Sequence, residues 1–217
     1  MTAAKTNTAR PVALGIMAMT MVVVASNVLV QFPVHGMLAG VNLADLLTWG
    51  AFTYPVAFLV TDLINRRFGP QAARRVVYAG FAVAVALSIV LATPRIALAS
   101  GTAFLFGQLL DVAVFDRLRG GAWWKAPVVS STVGTVLDTI LFFSIAFAAN
   151  FAFLGYHDDF AVGAAPLLGV FALEVPRWVS WALGDFSVKV LVAMGMLVPY
   201  RLLLMWLSPS PNSTAQG

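Results

Sequence analysis

No cysteine occurs among the 217 residues, so disulfides, thiolate nucleophiles and cysteine-ligated metals are excluded, and thiols say nothing about redox compartment. Histidine is almost as scarce: His35 and His157 fall outside any metal-ligand spacing. No Walker-type phosphate loop, His/Glu metal motif or Ser/His/Asp set is legible. That argues against an ATP-driven pump and against an enzyme of the hydrolase kind, and calls for no cofactor. Charge is thin as well. Only 10% of residues are Asp, Glu, Lys or Arg, and the net charge of +4 is spread over several short loops rather than gathered in one patch. Nucleic acid is therefore not an expected partner, and a lipid bilayer is.

What the chain does have is apolar length. Hydrophobic residues make up 60% of it and the mean hydropathy is +0.89, far from the balance of a water-soluble domain. Spans of about 20 residues with short loops leave room for about six or seven helices and no soluble domain. The expectation is an all-α integral membrane protein: residues 1–207 as a single transmembrane domain, and 208–217 as a disordered Pro/Ser/Asn tail. Apolar runs are expected to cross at 12–30, 46–65, 76–92, 96–118, 128–149 and 179–207. Val23-Val24-Ala25 resembles a processing site, but the first run continues past it to Val30 with no polar break, which favours a retained helix over a cleaved signal peptide. Residues 162–175 are apolar yet too short to cross, and read as an outer interfacial or re-entrant piece, followed by Trp178 and Trp181 at an interface.

Basic residues test this map. Lys5, Arg10, Arg66, Arg67, Arg74, Arg75, Arg117, Arg119, Lys125 and Arg201 fall on one side, Arg95 and Arg177 on the other, and Lys189 inside a span. Ten against two puts both termini in the cytoplasm and requires an even number of crossings, so six helices fit and seven do not.

Several ionisable or amide groups lie inside the spans, where insertion costs roughly 2.5–3.5 kcal/mol for each charge. Asn27 and Gln31 are i,i+4 neighbours; Tyr54, Thr61, Asp62 and Asn65 share the second span; Gln108 and Asp111 are i,i+3; Thr135, Asp138 and Thr139 cluster in the fifth; Asp185 and Lys189 are i,i+4 in the sixth. Plainer readings stand beside each. Asp62 can pair with Arg66, Asp116 with Arg117 and Asp185 with Lys189, while Asn27 and Gln108 can serve as interhelical glue. Tyr54-Pro55 can be no more than a kink, and Trp123-Trp124 an aromatic belt. Asp138 is hardest to dismiss, being too deep for a short side chain to reach the interface. Polar faces on at least five of six helices suit a lined pathway for a polar solute.

Three stretches carry a resemblance. Thr-Trp-Gly-Ala-Phe-Thr-Tyr-Pro-Val-Ala-Phe-Leu-Val-Thr-Asp-Leu-Ile-Asn-Arg-Arg-Phe-Gly-Pro at 48–70, Ala-Ser-Gly-Thr-Ala-Phe-Leu-Phe-Gly-Gln-Leu-Leu-Asp-Val-Ala-Val-Phe-Asp-Arg-Leu-Arg at 99–119, and Ser-Trp-Ala-Leu-Gly-Asp-Phe-Ser-Val-Lys-Val-Leu at 180–191 occur in the order and spacing of one family. The chain resembles the bacterial queuosine precursor transporter family, also called the vitamin uptake transporter family. The likeness runs from Ser26 to Arg201, with Asn65 standing where many members carry Glu and Thr135 where a Gln is common.

The resemblance implies a multi-pass protein of the bacterial inner membrane that takes up 7-cyano- or 7-aminomethyl-7-deazaguanine. Its fold would be like the substrate-binding subunits of energy-coupling-factor transporters, working without their ATPase. A guanine-like edge offers adjacent N–H donors beside a carbonyl, which a carboxylate or amide matches. Asn27, Tyr54, Gln108, Asp111 and Asp138 are the substrate-binding candidates, with Asp62, Asp185 and Lys189 as gating or charge-balancing groups. Secondary transport or facilitated diffusion is the expected mode; the rival is a binding subunit needing a separate ATPase. Oligomeric state is left open, a homodimer included.

Overall fold

The computed structural model describes residues 9–38, 40–155 and 158–207; Lys5, His157 and the expected 208–217 tail lie outside these. Helix α1 (Ala9–Leu29) leads into a short antiparallel hairpin, β1 (Met37–Leu38) and β2 (Val41–Asn42), and a 3₁₀ turn at Leu43–Asp45. Then come α2 (Gly50–Thr53), α3 (Pro55–Phe68), α4 (Pro70–Leu91), α5 (Pro94–Leu118) and α6 (Lys125–Phe147). A 3₁₀ stretch at Ala149–Leu154, α7 (Asp159–Val162) and a second hairpin, β3 (Ala164–Leu167) with β4 (Phe171–Pro176), precede α8 (Arg177–Gly195) and α9 (Leu197–Leu207).

Among the described residues, five helical runs are long and apolar enough to cross a membrane: α1, α4, α5, α6 and the α8–α9 run from Arg177 to Trp206. The expected span at 46–65 does not form as one helix. Pro55 has no N–H to donate, and the chain divides there into α2 and α3. Tyr54 keeps helical angles at the junction, its N–H reaching Gly50 O at 3.0 Å and its carbonyl accepting from Ala57 N at 2.9 Å. The α2–α3 run therefore stays helical across the junction, with a path length of about 28 Å at about 1.5 Å per residue. It ends at Gly69, whose φ of 84° only glycine adopts freely, and Pro70 starts α4 at once. That tight corner makes α4 begin six residues before the expected Val76.

The segment expected as an outer interfacial or re-entrant piece is a two-stranded hairpin. Leu168 and Gly169 both have positive φ, 54° and 76°, in the three-residue connection between the paired Leu167 and Phe171. Ser180 at the start of α8 holds the turn, its hydroxyl accepting from Leu168 N at 2.9 Å.

Polarity is inverted relative to a water-soluble core. Leu14, Ile89, Leu191 and Trp206 are exposed, while Asp62, Asn65, Gln108, Asp111, Asp138 and Lys189 are buried. Lipid is the solvent that permits this arrangement. Helices approach through small residues where backbones must touch. A Cβ on Gly134 of α6 would sit 3.0 Å from Gly107 O of α5 and 2.9 Å from Phe58 of α3, so these three elements meet with nothing between them. At one end of the bundle gather Arg10, Arg66, Arg67, Arg74, Arg75, Arg117, Arg119, Lys125 and Arg201; the hairpins lie at the other with Arg95 and Arg177. Arg95 is buried and donates to Ile145 O at 2.8 Å and Ala148 O at 2.7 Å, capping the carbonyl end of α6.

Candidate functional site

A cavity of about 170 Å³ enters from the hairpin end. Its mouth lies among Val30 and Gln31 at the end of α1, Thr48 before α2, Leu91 and Ala92 at the end of α4, and Ile96 at the start of α5. Asn27, Ser26, Ser88, Ser100 and Phe142 line the wall, and Tyr54, Asp138, Asp185 and Lys189 form the floor. The volume is below the roughly 300–1,000 Å³ of drug-sized ligand sites, a size suited to a single fused ring system. A larger cavity of about 520 Å³ between α4 and α5 has only apolar side chains and Thr102 around it, and so nothing to orient a polar solute.

Helices α6 and α8 and the α2–α3 junction assemble the floor. Asp138 stands one turn beyond Gly134, where α5 and α6 are in backbone contact, and this fixes its depth. Tyr54 is held at the Pro55 junction, and its hydroxyl donates to Asp138 Oδ1 at 2.9 Å. Lys189 Nζ donates to Asp138 Oδ2 at 2.9 Å and pairs with Asp185 Oδ2, one turn back on α8, at 2.6 Å. The same ammonium lies 4.7 Å from the centre of the Tyr54 ring, a cation–π contact. With both carboxylates ionised the trio carries a net charge of −1 at the base of a cleft that opens to solvent. Such buried pairs owe their place to geometry, since desolvation offsets most of the Coulombic gain.

Of the residues expected to bind a solute, Asn27, Tyr54 and Asp138 line this cavity together, with Asp185 and Lys189 beside them. Asn27 spends one amide N–H on Val23 O at 2.9 Å, and Gln31 reaches back to Asn27 O at 3.2 Å rather than to its side chain. Gln108 and Asp111 do not line it. They lie deeper toward the basic end, fully buried with Thr61, whose hydroxyl is 3.1 Å from Gln108 Oε1 and 3.5 Å from Asp111 Oδ2. Asp62 is in that inner group as well, accepting from Ser130 and Ser131 at 3.4 Å each.

Two local pairings expected from spacing are replaced by longer-range ones. Arg66 does not bond Asp62; its guanidinium goes to the Tyr200 hydroxyl at 3.0 Å, to Trp123 O at 3.2 Å and to Arg119 O. Asp116 pairs with Arg119 at 3.0 Å, one turn on, rather than with Arg117. Trp123, expected as belt, also stacks under Arg201, the guanidinium 5.0 Å from its ring centre. The basic end is thus closed by a bonded cluster while the hairpin end is open. Between cavity and inner group lies the layer of Phe58, Gly107 and Gly134.

Ser26, Gln31, Thr48, Ser88 and Ser100 line the cavity without having been singled out as binding candidates. Their common signal is a polar side chain within two turns of a helix end, in the helix or just beyond it, which is too frequent to be selective.

Comparison with known proteins gives a consistent result. The family described as "Putative vitamin uptake transporter" matches residues 48–93 and 87–203. A protein of Escherichia coli (strain K12) named "Queuosine precursor transporter" is 36% identical over 207 residues, covering 85% of this chain and 82% of its own. A "Probable queuosine precursor transporter" of Haemophilus influenzae is 37% identical over 172 residues, 63% of this chain and 73% of its own. One of Bacillus subtilis with the same description is 30% identical over 128 residues, 46% and 56% of the two chains. No solved structure matches the chain. With its family match covering most of the sequence, the chain belongs to the vitamin uptake transporter family.

Proposed function

We propose that this protein imports the 7-deazaguanine precursors of queuosine, 7-cyano- and 7-aminomethyl-7-deazaguanine, across the bacterial inner membrane by alternating access. The observation that carries the reading is the cavity: it is open at one end, sized for a fused bicyclic ring, and floored by a carboxylate–ammonium–carboxylate set. In this reading α2–α3 is the sixth crossing, both termini face the cytoplasm, and the open mouth faces outward.

The chemistry fits. Asp138 accepts two bonds within the protein, which leaves lone pairs for the adjacent N–H groups of a guanine-like edge. Lys189 can donate to the purine carbonyl, the Asn27 amide can give and take, and the Tyr54 ring offers a stacking face. Names of relatives support the substrate class. Purified protein in liposomes, without ATP or any partner, should accumulate labelled precursor. Binding without uptake would instead make it a subunit that waits for a separate ATPase. In cells unable to make the precursors, queuosine in tRNA should depend on this chain when precursor is supplied at low concentration.

A further inference from the structure

The outer floor balances its carboxylates with Lys189, but the inner group has no such cation. Asp62 on α3 and Asp111 on α5 are buried in one polar group: Thr61, the residue before Asp62, has its hydroxyl 3.5 Å from Asp111 Oδ2, and Ser130 of α6 lies 3.4 Å from Asp62 Oδ1. Neither is in an ion pair among the described residues. The charged and titratable groups on the surrounding helices are committed elsewhere. Arg66, one turn along α3, bonds Tyr200 of α9, Trp123 O and Arg119 O. Asp138 of α6 and Lys189 of α8 bond each other at the outer floor.

Hydrogen bonding leaves one carboxyl oxygen of this group without a partner. Ser130 and Ser131 serve Asp62; the single Thr61 hydroxyl proton is 3.5 Å from Asp111 Oδ2 but nearer to Phe58 O at 2.9 Å and Gln108 Oε1 at 3.1 Å, and Asp111 Oδ1 has no donor. Gln108, whose Oε1 is beside the same Thr61 hydroxyl, is fully buried with its Nε2 unpartnered. Two ionised carboxylates in one dry group without a bonded cation are unfavourable, whereas one proton held there neutralises one of them and supplies a donor to the other polar atoms. The space present suits a proton rather than a metal ion. The gap that reaches Asp62 and Ser131 from Tyr200 and Met196 is about 10 Å³, room for about one water and no coordination sphere.

We propose that Asp62 and Asp111 form a proton-binding site that couples inward movement of the solute to the proton gradient. The proton enters with the pair accessible from outside and leaves to the cytoplasm when the Arg66–Tyr200 closure opens. The pair is re-ionised, and no other bond is made or broken. The inference rests on the import reading, and its test separates the two.

Wild type, Asp62→Asn and Asp111→Asn are reconstituted in liposomes and given labelled 7-aminomethyl- or 7-cyano-7-deazaguanine. Wild type should accumulate precursor under an inwardly directed pH gradient at clamped membrane potential; both variants should lose that accumulation while still exchanging internal for external precursor. Accumulation unaffected by the pH gradient, driven by sodium at equal pH, or retained in both variants would overturn the proposal. A readout independent of the solute is the infrared carboxylic-acid C=O band of the full-length protein at neutral pH. It should be present in wild type, shift in D2O, and vanish in Asp111→Asn; its absence from wild type overturns the proposal. Failure of both uptake and exchange in wild type, with the band present, counts against the import reading alone.

Discussion

Asp138→Asn replaces one anionic oxygen at the cavity floor with an amide that donates. In the native floor Asp138 takes the Tyr54 hydroxyl on Oδ1 and the Lys189 ammonium on Oδ2, each at 2.9 Å. Asparagine can still accept from one of them, and Lys189 keeps Asp185 at 2.6 Å, so no ammonium is left bare. The stability loss should therefore fall below the roughly 3–5 kcal/mol of orphaning a buried charge. Affinity is a different matter. A carboxylate can receive two N–H groups from a purine edge, and the amide nitrogen opposes one of them, a loss of about 1–3 kcal/mol, or about five- to 150-fold in Kd. Equilibrium binding of 7-cyano- and 7-aminomethyl-7-deazaguanine to purified protein, alongside thermal unfolding, measures both quantities. An affinity equal to wild type in a folded Asp138→Asn protein would remove this carboxylate from the purine edge and leave it a structural partner of Lys189.

Three further outcomes follow from the geometry. Lys189→Met leaves Asp138 and Asp185 facing each other without a cation, and should destabilise the fold by about 3–5 kcal/mol, with partial recovery in the Lys189→Met, Asp185→Asn double variant; detergent-solubilised unfolding temperatures check this. Gly134→Leu forces apart α5 and α6, whose backbones approach to 3.0 Å at the added Cβ, and should cost about 1–3 kcal/mol or more, read as loss of a monodisperse elution peak. Because the chain has no cysteine, Gln31→Cys and Arg67→Cys each create a unique thiol. An impermeant maleimide should label Gln31→Cys in intact cells and Arg67→Cys only in inverted vesicles. The opposite pattern would reverse the proposed orientation.

The helices were legible because apolar runs of the right length are the strongest signal a sequence carries, and the basic end because arginines cluster at 66–75 and 117–125. Turn chemistry was not. The 164–176 hairpin turns at Leu168-Gly169, not at the Asn-Gly or Asp-Gly that marks such turns, and its apolar strands look like a short helix. At Gly69-Pro70 the glycine and proline mark the turn, but α4 starts at Pro70 itself and takes Arg74 and Arg75 into its first turns, which charge had kept out of the expected span. At the site, depth alone singled out Asp138, since a residue mid-span has no route to the interface. The partnership of Asp138 with Lys189 lies 51 positions away in sequence, and helical spacing links Lys189 only to Asp185. Gln108 and Asp111 sit on a helix that does line the cavity, but α5 enters at Pro94 from the hairpin end. Its cavity-lining residues are Ile96, Ser100 and Ala103, and 108 and 111 are already past the Phe58 layer.

That layer is what makes two polar groups rather than one. Phe58 touches Gly134 where any side chain on the glycine would exclude it, and its ring stands edge-on to Tyr54 at 6.0 Å between centres. The cavity floor at Tyr54 and Asp138 is therefore separated from Thr61, Asp62, Gln108 and Asp111 by one aromatic ring and one helix contact, on α3, α5 and α6. Moving α3 against α5 and α6 displaces the ring and strains the Pro55 junction, where a backbone hydrogen bond is already missing. The same motion pulls Arg66 from Tyr200, Trp123 and Arg119, because all of its bonds leave α3 for other elements. One helix carries the aromatic layer, an inner carboxylate and the arginine that closes the basic end, so a single rearrangement acts on all three. The Tyr54-Pro55 break is the place in the sequence where such a rearrangement meets least backbone resistance.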